Sequence, residues 1–387
     1  MGQQAWIVLS DLDGKVVAQE ELIAGEQYIF SNEERVSQFH ATLLLKDFYV
    51  SDVASLPNSE ILNLITYAFL DGTVNTLNLK VPSSSFVKDW NNFPRLEVAI
   101  DVEQDRIKES VISGSQGGLK NGNRYGAVRI KEGQETVFTY VQLKGEENWR
   151  MKFLEDVEGN SSIVIPLGDM EKLETSYVEV PKKYEVEFRT IGIIDCEDNY
   201  FHALQWFSPA EQGRIAARYL PENKELFQYY LTDVKLKKDR ATYQYKQIGE
   251  PLSSYEPTAI DFKVQKDELK KFQLKTSSNP FTLYETQWAS TQEVNANLSY
   301  ESGWTVYGDF PERFNAPDLS KVLEEEVDWF DEDLLKIQQV TEYKYSKLQT
   351  YQDWLINEFD RDFDYRLCKR DYLDIGAHQT IRTLNFE

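Results

Sequence analysis

Alternation of apolar and polar side chains with period two restricts this chain more than any other feature. Thr136 to Leu143 (TVFTYVQL) nearly alternates, as a half-buried strand requires, because successive strand side chains point to opposite faces. Lys80-Val81, Tyr184 to Phe188 (YEVEF), Thr242 to Tyr245 (TYQY) and Ile260 to Val264 (IDFKV) repeat the pattern. With 22 Tyr, 21 Phe and 8 Trp there is ample large side chain to fill such a core. The expected class is mainly β.

Helix signals are few. Ser208-Pro209-Ala210-Glu211 joins an N-cap serine, a proline at the first helical position and a glutamate able to bond back to the cap, which predicts a helix over 209–220. Ser31 with Glu34 and Thr350 with Asp353 mark two more starts, the second placing Tyr351, Trp354, Leu355 and Phe359 on one side. Leu319 to Glu326 is expected as another short helix.

A length of 387 residues suits several domains. The strings LNLKVP, ending at Pro82, and SYVEVP, ending at Pro181, recur about one small β-module apart, near the size of an immunoglobulin-like sandwich. Joints near Pro94, Lys183 and Ser277 divide the chain into 1–94 and 95–183 as tandem Ig-like sandwich modules. A β-rich domain, 184–277, follows with the helix over 209–220, and then a β-rich 278–387 with short helices.

Lys plus Arg number 42 against 65 Asp plus Glu, a formal charge of −23 that repels nucleic acid and anionic lipid surfaces. No apolar run approaches the roughly 18 residues that span a bilayer, and the MGQQ start has no apolar signal core. Cys196 and Cys368 are too few for a disulfide framework and are expected as separate core thiols, although spacing alone leaves their pairing open.

Residues 7–15 (IVLSDLDGK) present Asp11 and Asp13 in the Asp-x-Asp-Gly arrangement of haloacid dehalogenase-type phosphatases. That chemistry needs a parallel strand followed by a helix, whereas VVAQEEL downstream reads as a second strand. Asp-Gly between two alternating runs is instead a hairpin signal, with glycine supplying the positive φ of a primed turn. Residues 67–79 (YAFLDGTVNTLNL) repeat it at Asp71-Gly72, with Phe69 where a nucleophile would stand.

The triplet Asp360, Asp362 and Asp364 (DRDFDY, 360–365) has the spacing of the first ligands of a calcium loop, so calcium is the cofactor this chain would admit. Tyr365 and Asp371 stand where that loop needs glycine and glutamate, and strand alternation accounts equally for the triplet. His40, His202 and His378 lack metal-ligand spacing, and no nucleophile elbow, dinucleotide fingerprint or phosphate loop is present. No catalytic residue is assigned. The aromatic-rich segments 300–310 (YESGWTVYGDF) and 327–333 (VDWFDED) nominate Trp304, Tyr307 and Trp329 as ligand-stacking rings, with Trp304, beside Gly303 and ahead of the Gly308-Asp309 turn, expected to be exposed. Burial in a β core is the competing role of such rings.

The acidic, aromatic-rich composition and the opening IVLSDLDGKVVAQEEL resemble the exported surface lipoproteins of Bacteroidota that carry carboxypeptidase-regulatory-like or Ig-like β-modules. The resemblance implies export, a lipid anchor in the full-length form and a place at the cell surface or periplasm. The expected function is non-catalytic surface binding or adhesion toward a glycan or a protein. The alternatives are a carboxylate-dependent, glycan-active hydrolase and the phosphatase using Asp11 and Asp13.

Overall fold

The computed structural model describes residues 4–23, 28, 30, 37–49, 57–71, 93–115, 119–196, 198, 200–205, 210, 213–217, 226–257, 262–276, 281–309, 314–323, 326–360 and 378–386. The chain is mainly β. It divides into two compact units, one of Met1–Val81, Ala259–Asp360 and Ile381–Glu387, the other of Pro82–Thr258 and Arg361–Thr380. The breaks fall at 81/82, 258/259, 360/361 and 380/381, whereas the sequence suggested joints near Pro94, Lys183 and Ser277.

The chain begins in unit 1 with β1 (Gln4–Ser10), β2 (Val16–Glu21), β3 (Gln38–Tyr49) and β4 (Asn58–Asp71). β1 is antiparallel to both β2 and β3, and β3 to β4. Between β1 and β2, the Gly14 amide donates to Asp11 O and the Asp11 amide to Lys15 O, each at 3.0 Å. Gly14 has φ +82°, while Leu12 and Asp13 stay at negative φ, so an ordinary turn closed by a left-handed glycine replaces the expected primed turn. Of the Asp71-Gly72 turn, Asp71 ends β4 and Gly72 lies outside the described residues.

Unit 2 continues with β5 (Arg95–Asp101), β6 (Ile107–Gly114), β7 (Leu119–Asn121), β8 (Tyr125–Arg129), β9 (Val137–Leu143), β10 (Trp149–Leu154), β11 (Ser162–Pro166) and β12 (Glu171–Leu173). They form a five-stranded sheet, β12-β10-β9-β6-β7, and a three-stranded sheet, β11-β5-β8. Leu96, Val98, Ile112, Val128, Val137 and Val141 fill the core between the two. Phe138, Tyr140, Trp149 and Met151, on the other face of the five-stranded sheet, pack against Leu204, Phe227 and Tyr230.

Those last residues belong to, or immediately precede, the strands that follow: β13 (Ser176–Glu179), β14 (Glu185–Asp195), β15 (Tyr200–Gln205), β16 (Arg214–Ala217), β17 (Tyr229–Lys238) and β18 (Ala241–Ile248). Here the helix expected over 209–220 is corrected. Arg214–Ala217 is a strand paired antiparallel to β13, with Ile215 and Ala217 buried and Arg214 opposite Glu179. Gly213, at φ +85°, breaks any helix at that point, and cross-strand burial outweighs the local capping signal. Among the other expected helical positions, Ala210 is described without helical structure and the rest lie outside the described residues.

The return to unit 1 brings β19 (Phe262–Lys266), β20 (Gln273–Thr276), β21 (Leu283–Asn295), β22 (Leu298–Gly308), α1 (Ser320–Leu323), β23 (Lys336–Tyr345), α2 (Tyr351–Asp360) and β24 (His378–Asn385). β22 pairs parallel with β4, joining segments far apart in the chain, so the strand order is β24-β23-β21-β22-β4-β3-β1-β2. One face of this sheet packs Trp6, Leu44, Leu64, Trp288, Trp304 and Val340 against Phe272, Phe314, Leu319 and Val327. α2 starts where the sequence placed it: Thr350 Oγ1 accepts from the Asp353 amide at 3.1 Å, and Asp353 Oδ2 accepts from the Thr350 amide at 2.9 Å. Tyr351, Trp354, Leu355 and Phe359 are its buried side. The start at Ser31 with Glu34 lies outside the described residues.

Candidate functional site

Asp11 is a turn residue. Its Oδ1 accepts from the Asp13 amide at 3.0 Å and the Lys15 amide at 2.9 Å, just after a strand whose neighbours are both antiparallel. A phosphatase nucleophile would need that carboxylate free at the end of a parallel strand, so Asp11 and Asp13 do not form the site. Asp360 ends α2, while Asp362 and Asp364 lie outside the described residues. Among the described residues no group of three His, Cys, Asp or Glu side chains is placed to hold a metal.

The expectation for Trp304 is corrected. It is 1% exposed, its indole N–H donates to Thr66 Oγ1 at 2.8 Å, and Thr66 in turn bonds Thr42. Its register partner is Trp288, which lies in the same core. The residue alternates inward because β22 is buried on that face, which the neighbouring glycine does not change. Tyr307 is half-buried, stacked on Tyr67 on the opposite face and covered by Trp354 of α2.

Trp329 has a more exposed setting. Phe48, Glu60, Tyr300 and Gln292 are register partners on four adjacent strands, β3, β4, β22 and β21, so their side chains form a row across one face at the sheet's rim. The Trp329 indole lies over Tyr300, with ring centroids 4.6 Å apart and planes 7° from parallel. Its N–H donates to Glu60 Oε2 at 3.1 Å, and Gln292 Nε2 donates to the Trp329 carbonyl at 3.3 Å. Glu60, Tyr300, Gln292 and Trp329 are half-buried, and Phe48 is 37% exposed. On the same face, two residues along β22, the buried Ser302 hydroxyl has no hydrogen-bond partner. Flat rings, a carboxylate and an amide therefore converge at one rim. Sequence nominated Trp329 but missed Phe48, Glu60, Tyr300 and Gln292, since their adjacency arises from strand register.

Two histidines are buried and neutral. His202 donates from Nδ1 to Ser113 O at 3.1 Å, so its Nε2 accepts from Thr136 Oγ1 at 2.8 Å, and Thr136 also bonds the Tyr200 hydroxyl. Burial lowers its pKa to about 3. His40 accepts the Phe69 amide on Nδ1, and burial lowers its pKa to about 4 against the pull of Asp11. Ser10 is its register partner, and neither Ser10 Oγ nor His40 Nε2 has a hydrogen-bond partner. These two do not make a catalytic dyad, because the bond at Nδ1 leaves the ring proton on Nε2, where a general base would need a lone pair.

The cysteines also differ from expectation. Cys196 is disulfide-bonded, and the chain's other cysteine is Cys368. No known family model matches this chain, and none of the curated proteins compared with it matches in sequence. Among the described residues no helix is long and apolar enough to cross a membrane.

Proposed function

We propose that this chain is a non-catalytic, exported surface-binding protein that recognises a glycan at the rim formed by Phe48, Glu60, Tyr300, Gln292 and Trp329. The observation carrying this reading is the Trp329 indole held flat on Tyr300, with its edge tied to Glu60. Aromatic faces take the C–H face of a sugar ring, and a carboxylate and an amide beside them fix its hydroxyls. The Cys196 disulfide supports an oxidising compartment, in keeping with export and with the lipid anchor that the resemblance implies for the full-length form.

A glycan array probed with wild type, followed by calorimetry on the best ligand, tests the reading. Trp329→Ala and Phe48→Ala are each expected to weaken binding about tenfold or more. Phe48 is exposed enough that its truncation leaves the fold intact. An empty array, or a ligand bound equally well by both variants, would overturn the proposal.

A further inference from the structure

Four acids are buried among the described residues: Asp233, Glu285, Glu332 and Glu342. Three have a cation within ion-pair distance, Asp233 with Arg189 at 3.1 Å, Glu332 with Lys270 at 3.1 Å and Glu342 with Arg382 at 3.5 Å. Glu285, 5% exposed, is the exception. Its Oε2 accepts from the Tyr343 hydroxyl at 2.8 Å and its Oε1 from the Gln287 amide, both neutral donors. Among the described residues no cation pairs with it. A buried carboxylate held only by neutral donors is costly, so its negative potential is available to a positive ligand.

The surroundings suit one kind of cation. Glu285 on β21 is the register partner of Tyr307 on β22, and Tyr307 that of Tyr67 on β4, so the three form a row on one face. Tyr67 and Tyr307 stack with centroids 5.8 Å apart, and Trp354 of α2 stands 5.2 Å from Tyr307. Tyr343 and Tyr345 stack on the other side, 5.9 Å apart. Burial, and then the Glu285 carboxylate, raise the Tyr307 and Tyr343 hydroxyls, so these rings stay neutral. Tyr67, Tyr307 and Tyr343 keep part of their surface exposed.

We propose that Glu285, with the rings of Tyr67, Tyr307, Tyr343, Tyr345 and Trp354, forms a binding site for an alkylammonium group. The carboxylate supplies the counter-charge and the aromatic faces hold the methyl or methylene carbons next to nitrogen. A hydrated metal ion gains little from such rings. The site lies on the face opposite the Trp329 rim and does not depend on the glycan reading.

Calorimetry and thermal melting with tetramethylammonium chloride and n-butylammonium chloride, against sodium chloride at equal ionic strength, test the proposal on the intact chain. Wild type is expected to bind at least one ammonium probe and to melt higher in its presence. Glu285→Gln, which preserves shape, is expected to weaken that binding at least about tenfold. Without probe it should melt no lower than wild type, because it removes a buried charge with which no cation pairs among the described residues. Tyr343→Phe, which keeps the carboxylate and the ring, is expected to retain binding. An equal response to sodium, no response to either probe, or unchanged binding by Glu285→Gln would overturn the proposal. So would a marked drop in the melting temperature of unliganded Glu285→Gln.

Discussion

Acidification probes the buried His202 directly. The imidazole is bonded at both nitrogens and fully buried, and burial lowers its pKa from 6.5 to about 3 against the backbone bond to Ser113, which raises it. As pH falls, the unfolded chain takes up the proton first. The contribution of the neutral ring is therefore whole above pH 6.5, is lost progressively below it, and stops changing below the folded value. At about 1.4 kcal/mol per pH unit, the loss between about pH 7.5 and about pH 4.5 is about 2.5 kcal/mol. Carboxylates titrate over the same range, so the informative quantity is the difference between wild type and His202→Asn, whose amide can replace the Nδ1 donor but does not titrate. At neutral pH the variant is expected to be less stable by about 2 kcal/mol, having lost ring packing and the Thr136 bond. Near pH 4.5 the gap should close. Urea unfolding followed by circular dichroism at a series of pH values measures it, with proton NMR following the imidazole. A gap that stays constant with pH, or an imidazole titrating near 6.5 in the folded protein, would refute the argument.

Further expectations follow from single contacts. Gly14→Ala should destabilise unit 1 by at least about 2 kcal/mol in urea unfolding, since φ is +82° and the new Cβ would lie 2.4 Å from Ala316 O. Thr350→Ala should cost about 1 kcal/mol by removing the α2 cap, with a reduced helical signal in circular dichroism. Reducing the Cys196 disulfide should lower stability by about 2–4 kcal/mol, read as a lower urea midpoint with reductant than without. An unchanged midpoint would mean that the bridge constrains little of the unfolded chain.

Strand content was legible because alternation is a local signal. Val137–Leu143 and Glu185–Phe188 fall on β9 and β14, although β9 is buried along its whole length because both faces of its sheet are covered, where alternation had suggested a half-buried strand. The Asp11 hairpin and the Thr350 cap were legible too, since each is built from residues within four positions of one another. The sequence determined, by itself, that this chain would be a β protein with a hairpin near its start and a capped helix near residue 350. Tertiary structure decided the rest. Arg214–Ala217 became a strand because β13 offered it a partner, and Trp304 was buried because its face of β22 met the core. The Trp329 rim, the burial of Glu285 and the parallel joining of β4 to β22 depend on register between strands more than 200 residues apart or on what packs above them. Periodicity shows which side a residue faces, while only the folded sheet shows what it faces.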